Sequence, residues 1–240
     1  GNGVKNASLT LHKGELLGIA GMVGSGRTEL AELLFGVKPI ESGEIRINGK
    51  KVNITSPEEA IKHKMCFITE DRQGTGLFLN LPVLDNLVMA SYINNKSEIV
   101  SLREDAKNAK EFVEKLNIVT PTIHQKVVFL SGGNQQKVVL GKWFLTNGQI
   151  FIFDEPTVGV DVGAKEEIYK LMINLLKEGK SIIMISSDMM ELLAMSDRIN
   201  VMRDGEIVAE LQKNEFSEEN ILKYSIGVTM EGSSLGHESR

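Results

Sequence analysis

A glycine-rich loop between an apolar run and an amphipathic helix constrains the fold of this 240-residue chain more than any other feature. The apolar run at 15–20 has the length of a buried strand. In residues 28–35 apolar side chains recur three and four positions apart, as a helix with one buried face requires. Gly36 then follows as a C-terminal cap. The sequence therefore predicts a strand, a glycine loop and a helix in direct succession.

Alternating strands and helices continue along the chain. Asn48-Gly49 predicts a tight turn between strands at 44–47 and 51–54, because both residues readily take positive φ angles. The run Ser56-Pro-Glu-Glu predicts the start of a helix that ends near Lys64. Further strands are predicted at 65–69, 150–153, 181–186, 199–202 and 206–210, and further helices at 165–178, 189–195 and 217–225. This pattern indicates an α/β fold with a mainly parallel sheet core flanked by helices and an N-terminal antiparallel β-hairpin region.

The middle of the chain has a different character. Residues 70–142 contain loops and a helix predicted at 101–116, which begins with the capping pair Ser101 and Glu104. We predict a mainly helical lobe here, inserted between core segments 1–69 and 143–226. The polar stretch 227–240 is predicted to be a disordered tail.

Composition excludes several classes of protein. A net charge of −5 argues against a general nucleic-acid binder, which carries a basic surplus to neutralise phosphates. No apolar run approaches the roughly 20 residues that a membrane helix needs. The lone Cys66 lies in an apolar stretch and is predicted to be a buried structural thiol. The chain opens on Gly1 without methionine, as expected of a fragment or a trimmed chain. The histidines are predicted to be structural or on the surface: His12, His63, His124 and His237.

The glycine loop (residues 21–28) is a candidate phosphate-binding site. It fits the pattern G-x-x-x-x-G-K-[S/T], except that Arg27 stands where the lysine belongs. Backbone N–H groups of such a loop point at phosphate oxygens, and the Thr28 hydroxyl would hold a magnesium ion. Taken alone, the loop fits a tight turn between strand and helix equally well. The candidate nucleotide-binding residues of this segment are Gly21, Met22, Val23, Gly24, Ser25, Gly26, Arg27, Thr28 and Glu29.

Two carboxylates end the strand predicted at 150–153. Asp154 and Glu155 would lie at the carboxyl edge of the sheet, where open α/β folds bind ligands. Asp154 is then placed to hold Mg²⁺ through water, and Glu155 to orient or deprotonate an attacking water. The alternative is that both acids begin a solvated loop.

The segment LSGGNQQK at 130–137 lies about 20 residues before Asp154 and decides between these alternatives. The glycine loop, this signature segment and the Asp-Glu-Pro run in this order resemble the ATP-binding cassette (ABC) ATPases. The resemblance implies a P-loop NTPase fold of ABC type that binds ATP and Mg²⁺. It also implies that the signature segment reaches a γ-phosphate held by a partner cassette, and that Asp161 lies at the cassette–cassette interface. The signature residues concerned are Ser131, Gly132, Gly133 and Gln135.

The resemblance to one class of ABC ATPase is closer still, and it rests on residues 68–87, 156–165 and 185–208. They look like the second, C-terminal cassette of the duplicated ATPase subunit of bacterial monosaccharide importers, such as those for ribose, galactose or xylose. That resemblance implies sugar transport driven by ATP at the cytoplasmic face of the plasma membrane. The implied partners are an N-terminal cassette of the same polypeptide, membrane permease subunits that meet the helical lobe, and indirectly a sugar-binding protein.

Three residues depart from the cassette pattern at the chain's own nucleotide site. The planar Arg27 guanidinium cannot fill the space of a lysine ammonium. Glu70 replaces a glutamine and could still ligate magnesium, or it could instead pair with Arg72. Ser187 replaces a histidine that contacts the γ-phosphate, and it is the second catalytic candidate beside Glu155. We therefore expect weak or absent hydrolysis at this site, and a signature segment that serves the partner's site.

Two other functions compete with this interpretation. A noncatalytic scaffold that at most senses nucleotide would also explain the three departures. The DNA-repair ABC ATPases split the cassette with a long coiled coil, and no long heptad insertion interrupts residues 70–130, so that class is disfavoured.

Overall fold

A computed structural model describes residues 2–94 and 101–227 of the chain. Across these residues the main sheet has six strands in the order β4-β5-β6-β1-β7-β8. All neighbours pair in parallel except β7 and β8, which form an antiparallel edge. The strands are β1 Leu16–Gly21, β4 Met65–Ile68, β5 Ile150–Asp154, β6 Ser181–Ile185, β7 Arg198–Arg203 and β8 Glu206–Gln212. The predicted mainly parallel sheet is confirmed.

A separate two-stranded antiparallel sheet contains β2 (Ile45–Ile47) and β3 (Lys50–Val52). Asn48 and Gly49 connect them with φ angles of 50° and 76°, as a tight hairpin turn of the predicted kind requires. The predicted hairpin is therefore confirmed, with each strand one residue shorter than expected.

Eight α-helices surround the sheets in the described part of the chain. They are α1 Arg27–Leu34, α2 Pro57–Lys62, α3 Val83–Val88, α4 Leu102–Lys115, α5 Gly132–Phe144, α6 Val162–Lys177, α7 Met189–Met195 and α8 Glu218–Ile226. Shorter helical turns occupy Arg72–Gly76, Met89–Asn94, Val127–Phe129 and Lys213–Glu215. None of the described helices is long and apolar enough to cross a membrane.

One predicted helix boundary is wrong. The helix expected from residue 165 begins at Val162, because the Asp161 side chain caps its N-terminus and accepts a hydrogen bond from the Ala164 amide at 3.0 Å. The proposed lobe boundary at 142 falls inside α5, and the division into core and lobe stays a prediction. The predicted tail after Gly227 and His237 lie outside the described residues.

One hydrophobic core cluster includes strands of the main sheet and buried residues between 77 and 140. Phe151 and Phe153 of β5 are almost completely buried, and the Trp143 ring meets the Phe35 ring edge-on at 5.4 Å between centroids. Cys66 is fully buried beside Thr146, with 3.3 Å between the thiol and the hydroxyl. Burial raises the pKa of the Cys66 thiol to about 12, so the thiol stays protonated and structural, as predicted.

Replacing the cap residue Ser56 by alanine is expected to lower the free energy of unfolding by about 1 kcal/mol. The Ser56 hydroxyl accepts a hydrogen bond from the Glu59 amide at 3.3 Å, and alanine would leave that amide without it. Urea unfolding measures the change. The matched control is Ser8→Ala, at an exposed position outside helices and strands, which should change stability by less than about 0.5 kcal/mol. Equal stability of the two variants would contradict the cap assignment.

Candidate functional site

The parallel sheet brings three separated segments to one edge. Strands β1, β5 and β6 are neighbours or near neighbours and end in the glycine loop, in Asp154–Glu155 and in Ser186–Ser187. The edge encloses a cavity of about 240 Å³. Its lining residues are Val23, Gly24, Ser25, Gly26, Arg27, Thr28, Glu29, Glu70, Glu155, Val158 and Ser187. Most of the residues predicted from sequence for the chain's own site therefore meet at one cavity.

The glycine loop is curled and anchored. Gly24 and Gly26 have φ angles of 80° and 101°, which favour glycine, and the Ser25 amide donates to the Met22 carbonyl at 3.0 Å. The Gly205 amide, in the turn between β7 and β8, donates to the Ser25 carbonyl at 2.9 Å. Gly26 caps α1 without a side-chain hydrogen bond, so the amides of its first turn are available to an anion. Gly21 and Met22 line a neighbouring cavity of about 250 Å³ instead.

Arg27 is buried and turned across the site toward the end of β6. Its Nη1 donates to the Ser186 carbonyl at 2.6 Å, and its Nη2 lies 3.6 Å from Oε1 of Glu155. Only 8% of the residue is exposed. The charge that a lysine would direct at phosphate is therefore engaged by groups of the chain itself.

Glu155 occupies a strained position beside that guanidinium. Its φ angle of 48° lies in the left-handed region, which is costly for residues other than glycine and is concentrated at functional sites. Its amide donates to the Ile185 carbonyl at 3.0 Å, and its Oε2 accepts the Ser187 hydroxyl at 3.0 Å. The two catalytic candidates are thus in direct contact.

Asp154 lies behind the cavity wall with no exposed surface, and neither carboxylate oxygen has a hydrogen-bond partner among the described residues. Burial raises the pKa of Asp154 to about 7. The nearby Thr28 hydroxyl opposes this rise, and the charges of Glu155 and Glu70 add to it. A buried carboxylate without protein donors, next to a threonine hydroxyl, fits a divalent cation.

The described residues supply only part of a magnesium shell. Within 2–94 and 101–227, no three His, Cys, Asp or Glu side chains form a cluster able to hold a metal. Mg²⁺ is commonly held by one or two carboxylates together with substrate phosphates and water. A bound ion here would therefore depend on Thr28, Asp154 and the nucleotide, with Glu70 facing the same cavity.

The alternative pairing of Glu70 with Arg72 is absent from the described ion pairs. Arg72 donates instead to the carbonyls of Val158 at 3.1 Å and Gly159 at 3.4 Å. Glu70 is exposed and lines the cavity. This placement leaves its carboxylate available to a cation.

The signature segment does not line the chain's own cavity. Ser131 is exposed and caps α5, and Gly132 and Gly133 follow as the first turn of that helix. Gln135 is buried, and its amide group bonds within the chain, accepting from Gln73 at 3.0 Å and donating to the Val127 carbonyl at 3.3 Å. Asp161 caps α6. The nucleotide and interface roles predicted for these residues stay predictions.

The sequence did not indicate a role for Glu191, whose buried carboxylate lies behind the site and accepts hydrogen bonds from four side chains (the Glu191 hub). Its carboxylate accepts hydrogen bonds from Tyr169 at 2.6 Å, Ser186 at 2.8 Å and Lys165 at 3.2 Å, and also from Thr157. Burial alone would raise the pKa of Glu191, but these hydrogen bonds together hold it below its ordinary value. The partners lie 5 to 34 residues away along the chain, so no local pattern could reveal the hub.

The sequence of the chain is similar to those of known transport proteins. Residues 4–158 match the family model described as ABC transporter. The ribose import ATP-binding protein RbsA of Clostridium perfringens (strain 13 / Type A) is 47% identical over 228 residues, which cover 94% of this chain and 46% of that protein. The galactose/methyl galactoside import ATP-binding protein MglA 1 of Photobacterium profundum is 48% identical over 220 residues, covering 90% and 44%. The chain thus spans about half the length of these relatives.

Solved structures show the same fold. A nucleotide-free ATP-binding cassette from an ABC transporter superposes with a TM-score of 0.80 at 22% identity, covering 94% of this chain and 93% of that chain. A dimeric cassette in a post-hydrolysis state, bound to ADP and Pi, gives a TM-score of 0.77 at 24% identity, covering 88% and 90%. At these identities the likeness concerns the fold alone.

Proposed function

Since this chain belongs to the ABC transporter family of ATP-binding cassettes, we propose that it is one of two cassettes in a subunit that couples ATP binding and hydrolysis to import of a monosaccharide such as ribose. The names and the double length of the relatives support this proposal. The complete subunit, meaning the polypeptide with both cassettes, would act at the cytoplasmic face of a bacterial plasma membrane. A permease and, indirectly, a sugar-binding protein would be its partners.

The contacts of Arg27 carry the second part of the proposal, that the chain's own site is degenerate. The guanidinium donates to the Ser186 carbonyl and faces the Glu155 carboxylate, so phosphate must compete with both for its charge. Losing a charge-assisted contact to phosphate is worth about 1.5 to 3 kcal/mol. The same carboxylate is the candidate that would activate a water, so the ion pair with Arg27 would compete with that role.

The remaining residues retain the parts of a nucleotide site. The amides of the glycine loop and of the first turn of α1 would bind phosphate oxygens. Thr28 and Asp154 would hold Mg²⁺, which when bound neutralises phosphate charge. Ser187 would fix Glu155 through the hydrogen bond between their side chains. Weak nucleotide binding with poor hydrolysis is the expected behaviour.

The signature segment supports a role in the partner's site. Ser131 is exposed at the start of α5, away from the chain's own cavity, and the helix N-terminus attracts anions. We propose that Ser131 and the amides of Gly132 and Gly133 complete the nucleotide site of the other cassette. This cassette would then contribute to hydrolysis chiefly in trans.

An apolar patch on the helical lobe supports contact with the permease. Phe78 is 59% exposed and Phe129 is 72% exposed. Their segments pair through the Val128 amide, which donates to the Leu79 carbonyl at 2.9 Å. Exposed apolar patches mark protein interaction sites. We assign this patch to the membrane subunit.

Replacing Arg27 by lysine is expected to tighten binding of Mg²⁺-ATP to this chain by about tenfold. A lysine ammonium is slim enough to lie within the loop and would release Glu155 from its ion pair. Isothermal titration of the chain with Mg²⁺-ATP measures the change. The matched control is Arg46→Lys in the exposed hairpin, whose side chain is 57% exposed and which should leave the affinity unaltered.

Unchanged affinity in Arg27→Lys would show that the arginine is not what weakens the site. The competing proposal, a noncatalytic nucleotide-sensing scaffold, is distinguished by ATP hydrolysis. A complete subunit that binds ATP but does not hydrolyse it, with its permease present, would favour the scaffold.

A further inference from the structure

Arg72 lies where three segments of the chain meet. Its Nη1 donates to the Val158 carbonyl at 3.1 Å, and its Nη2 donates to the Gly159 carbonyl at 3.4 Å. The same Nη2 lies against the start of α5, because a Cβ placed on Gly132 would come within 2.8 Å of it. A single guanidinium thus bonds to the loop after β5 and lies against the N-terminus of α5, the signature helix.

The segments around Arg72 lead to two surfaces: the chain's own cavity, and the surface at Ser131 and Asp161 that is proposed to face a partner cassette. Arg72 begins the short helical turn that follows Glu70, and both Glu70 and Val158 line the cavity. Beyond Gly159 the chain reaches Asp161, the cap of α6. Gly132 is the first helical residue after Ser131. Arg72 therefore connects the chain's own cavity with the surface offered to a partner.

Stability alone does not explain a cation in this place. The N-terminus of α5 carries a partial positive charge, which a guanidinium beside it opposes. The Nε of Arg72 is buried without a hydrogen-bond partner among the described residues. Both features are unfavourable for stability. Arg72 nevertheless occupies this place, where its planar guanidinium binds two successive carbonyls.

We propose that Arg72 is a positioning residue that holds the start of the signature helix in register with residues 158–161. The inference rests on the proposed function in trans, because the helix start matters for hydrolysis only if it faces the partner's nucleotide. The fork is essential to this role, since a lysine ammonium on its flexible stem lacks the rigid planar geometry with which arginine holds two successive carbonyls.

Hydrolysis by the complete subunit tests the proposal. Arg72→Ala is expected to lower kcat by at least about tenfold, because misplacement of a catalytic surface by 1 Å can cost up to about 10²-fold. KM for ATP should change by less than about twofold, because the partner's glycine loop still binds the phosphates. The kcat of Arg72→Lys should lie between those of wild type and Arg72→Ala. The matched control is Arg103→Ala, an exposed arginine on α4 that should retain the wild-type kcat.

The outcomes separate this inference from the proposed function. A wild-type kcat in Arg72→Ala, in an assay where Ser131→Arg lowers hydrolysis by at least about 10²-fold, would overturn the positioning role alone. A wild-type kcat in both variants would overturn the function in trans as well. Thermal unfolding checks folding, and if Arg72→Ala does not fold, Arg72→Lys decides: the proposal then requires its kcat to fall by at least about threefold.

Discussion

Replacing Ser131 by arginine in the complete subunit is expected to lower the rate of ATP hydrolysis by about 10²- to 10³-fold. Ser131 is exposed at the N-terminus of α5, and its hydroxyl accepts hydrogen bonds within the first turn, including one from the Asn134 side chain at 2.9 Å. Under the proposed role in trans, an arginine would remove the hydroxyl and fill the space proposed for the γ-phosphate of the partner's nucleotide. Either change would then impair hydrolysis at the partner's site.

The size of this effect distinguishes a catalytic surface from a helix cap. Losing a serine cap costs about 1 kcal/mol of stability, which by itself leaves a folded enzyme active. Ser101→Arg makes the same change at the exposed cap of α4, where the serine hydroxyl accepts from the Glu104 amide at 3.4 Å. Steady-state hydrolysis with the permease present should therefore fall in Ser131→Arg and not in Ser101→Arg. A fully active Ser131→Arg subunit would refute the role in trans.

Replacing Asp154 by asparagine is expected to raise the free energy of unfolding of the metal-free chain above that of wild type at pH 8. This gain should be larger at pH 8 than at pH 5, by on the order of 2 kcal/mol. Asp154 is completely buried, and its carboxylate has no hydrogen-bond partner in the described part of the chain. Its pKa is raised by burial to about 7, from an ordinary value of 3.8. Ionisation of this group is therefore unfavourable in the folded state.

The direction in which stability changes with pH follows from proton binding by Asp154. Between about pH 4 and pH 7 the folded carboxyl holds a proton that the unfolded one has lost, so wild-type stability falls as pH rises through this range. Asparagine is neutral throughout and does not show this loss. Guanidinium unfolding in EDTA at several pH values measures the difference. Asp204→Asn, at a side chain 83% exposed, is the matched control and should follow the wild-type profile. A difference between Asp154→Asn and wild type that does not vary with pH would contradict the raised pKa.

Local sequence predicted the elements that frame the site. The order of strand, glycine loop and helix at residues 15–35 is confirmed, as are the hairpin turn at Asn48-Gly49 and the cap at Ser56. Each depends on the φ preferences, capping groups or apolar spacing of a few consecutive residues. The start of α6 lies three residues before the predicted one, because apolar spacing does not register the cap that Asp161 provides.

By itself, then, the sequence determined the fold class and the edge of the sheet that carries the candidate site, because both follow from local periodicity and from parallel strands ending together. Only the tertiary structure decided which groups of the chain contact one another at the candidate site. Arg27 reaches Ser186, 159 residues away. The Glu191 carboxylate on α7 accepts hydrogen bonds from side chains of α6, of the loop after β5 and of Ser186 after β6. Among the described residues no hydrogen bond reaches the Asp154 carboxylate, although Thr28 and Arg27 from α1 lie close enough to oppose the rise of its pKa. Such contacts arise from long-range packing, and no short stretch of sequence encodes which distant group a buried charge will meet.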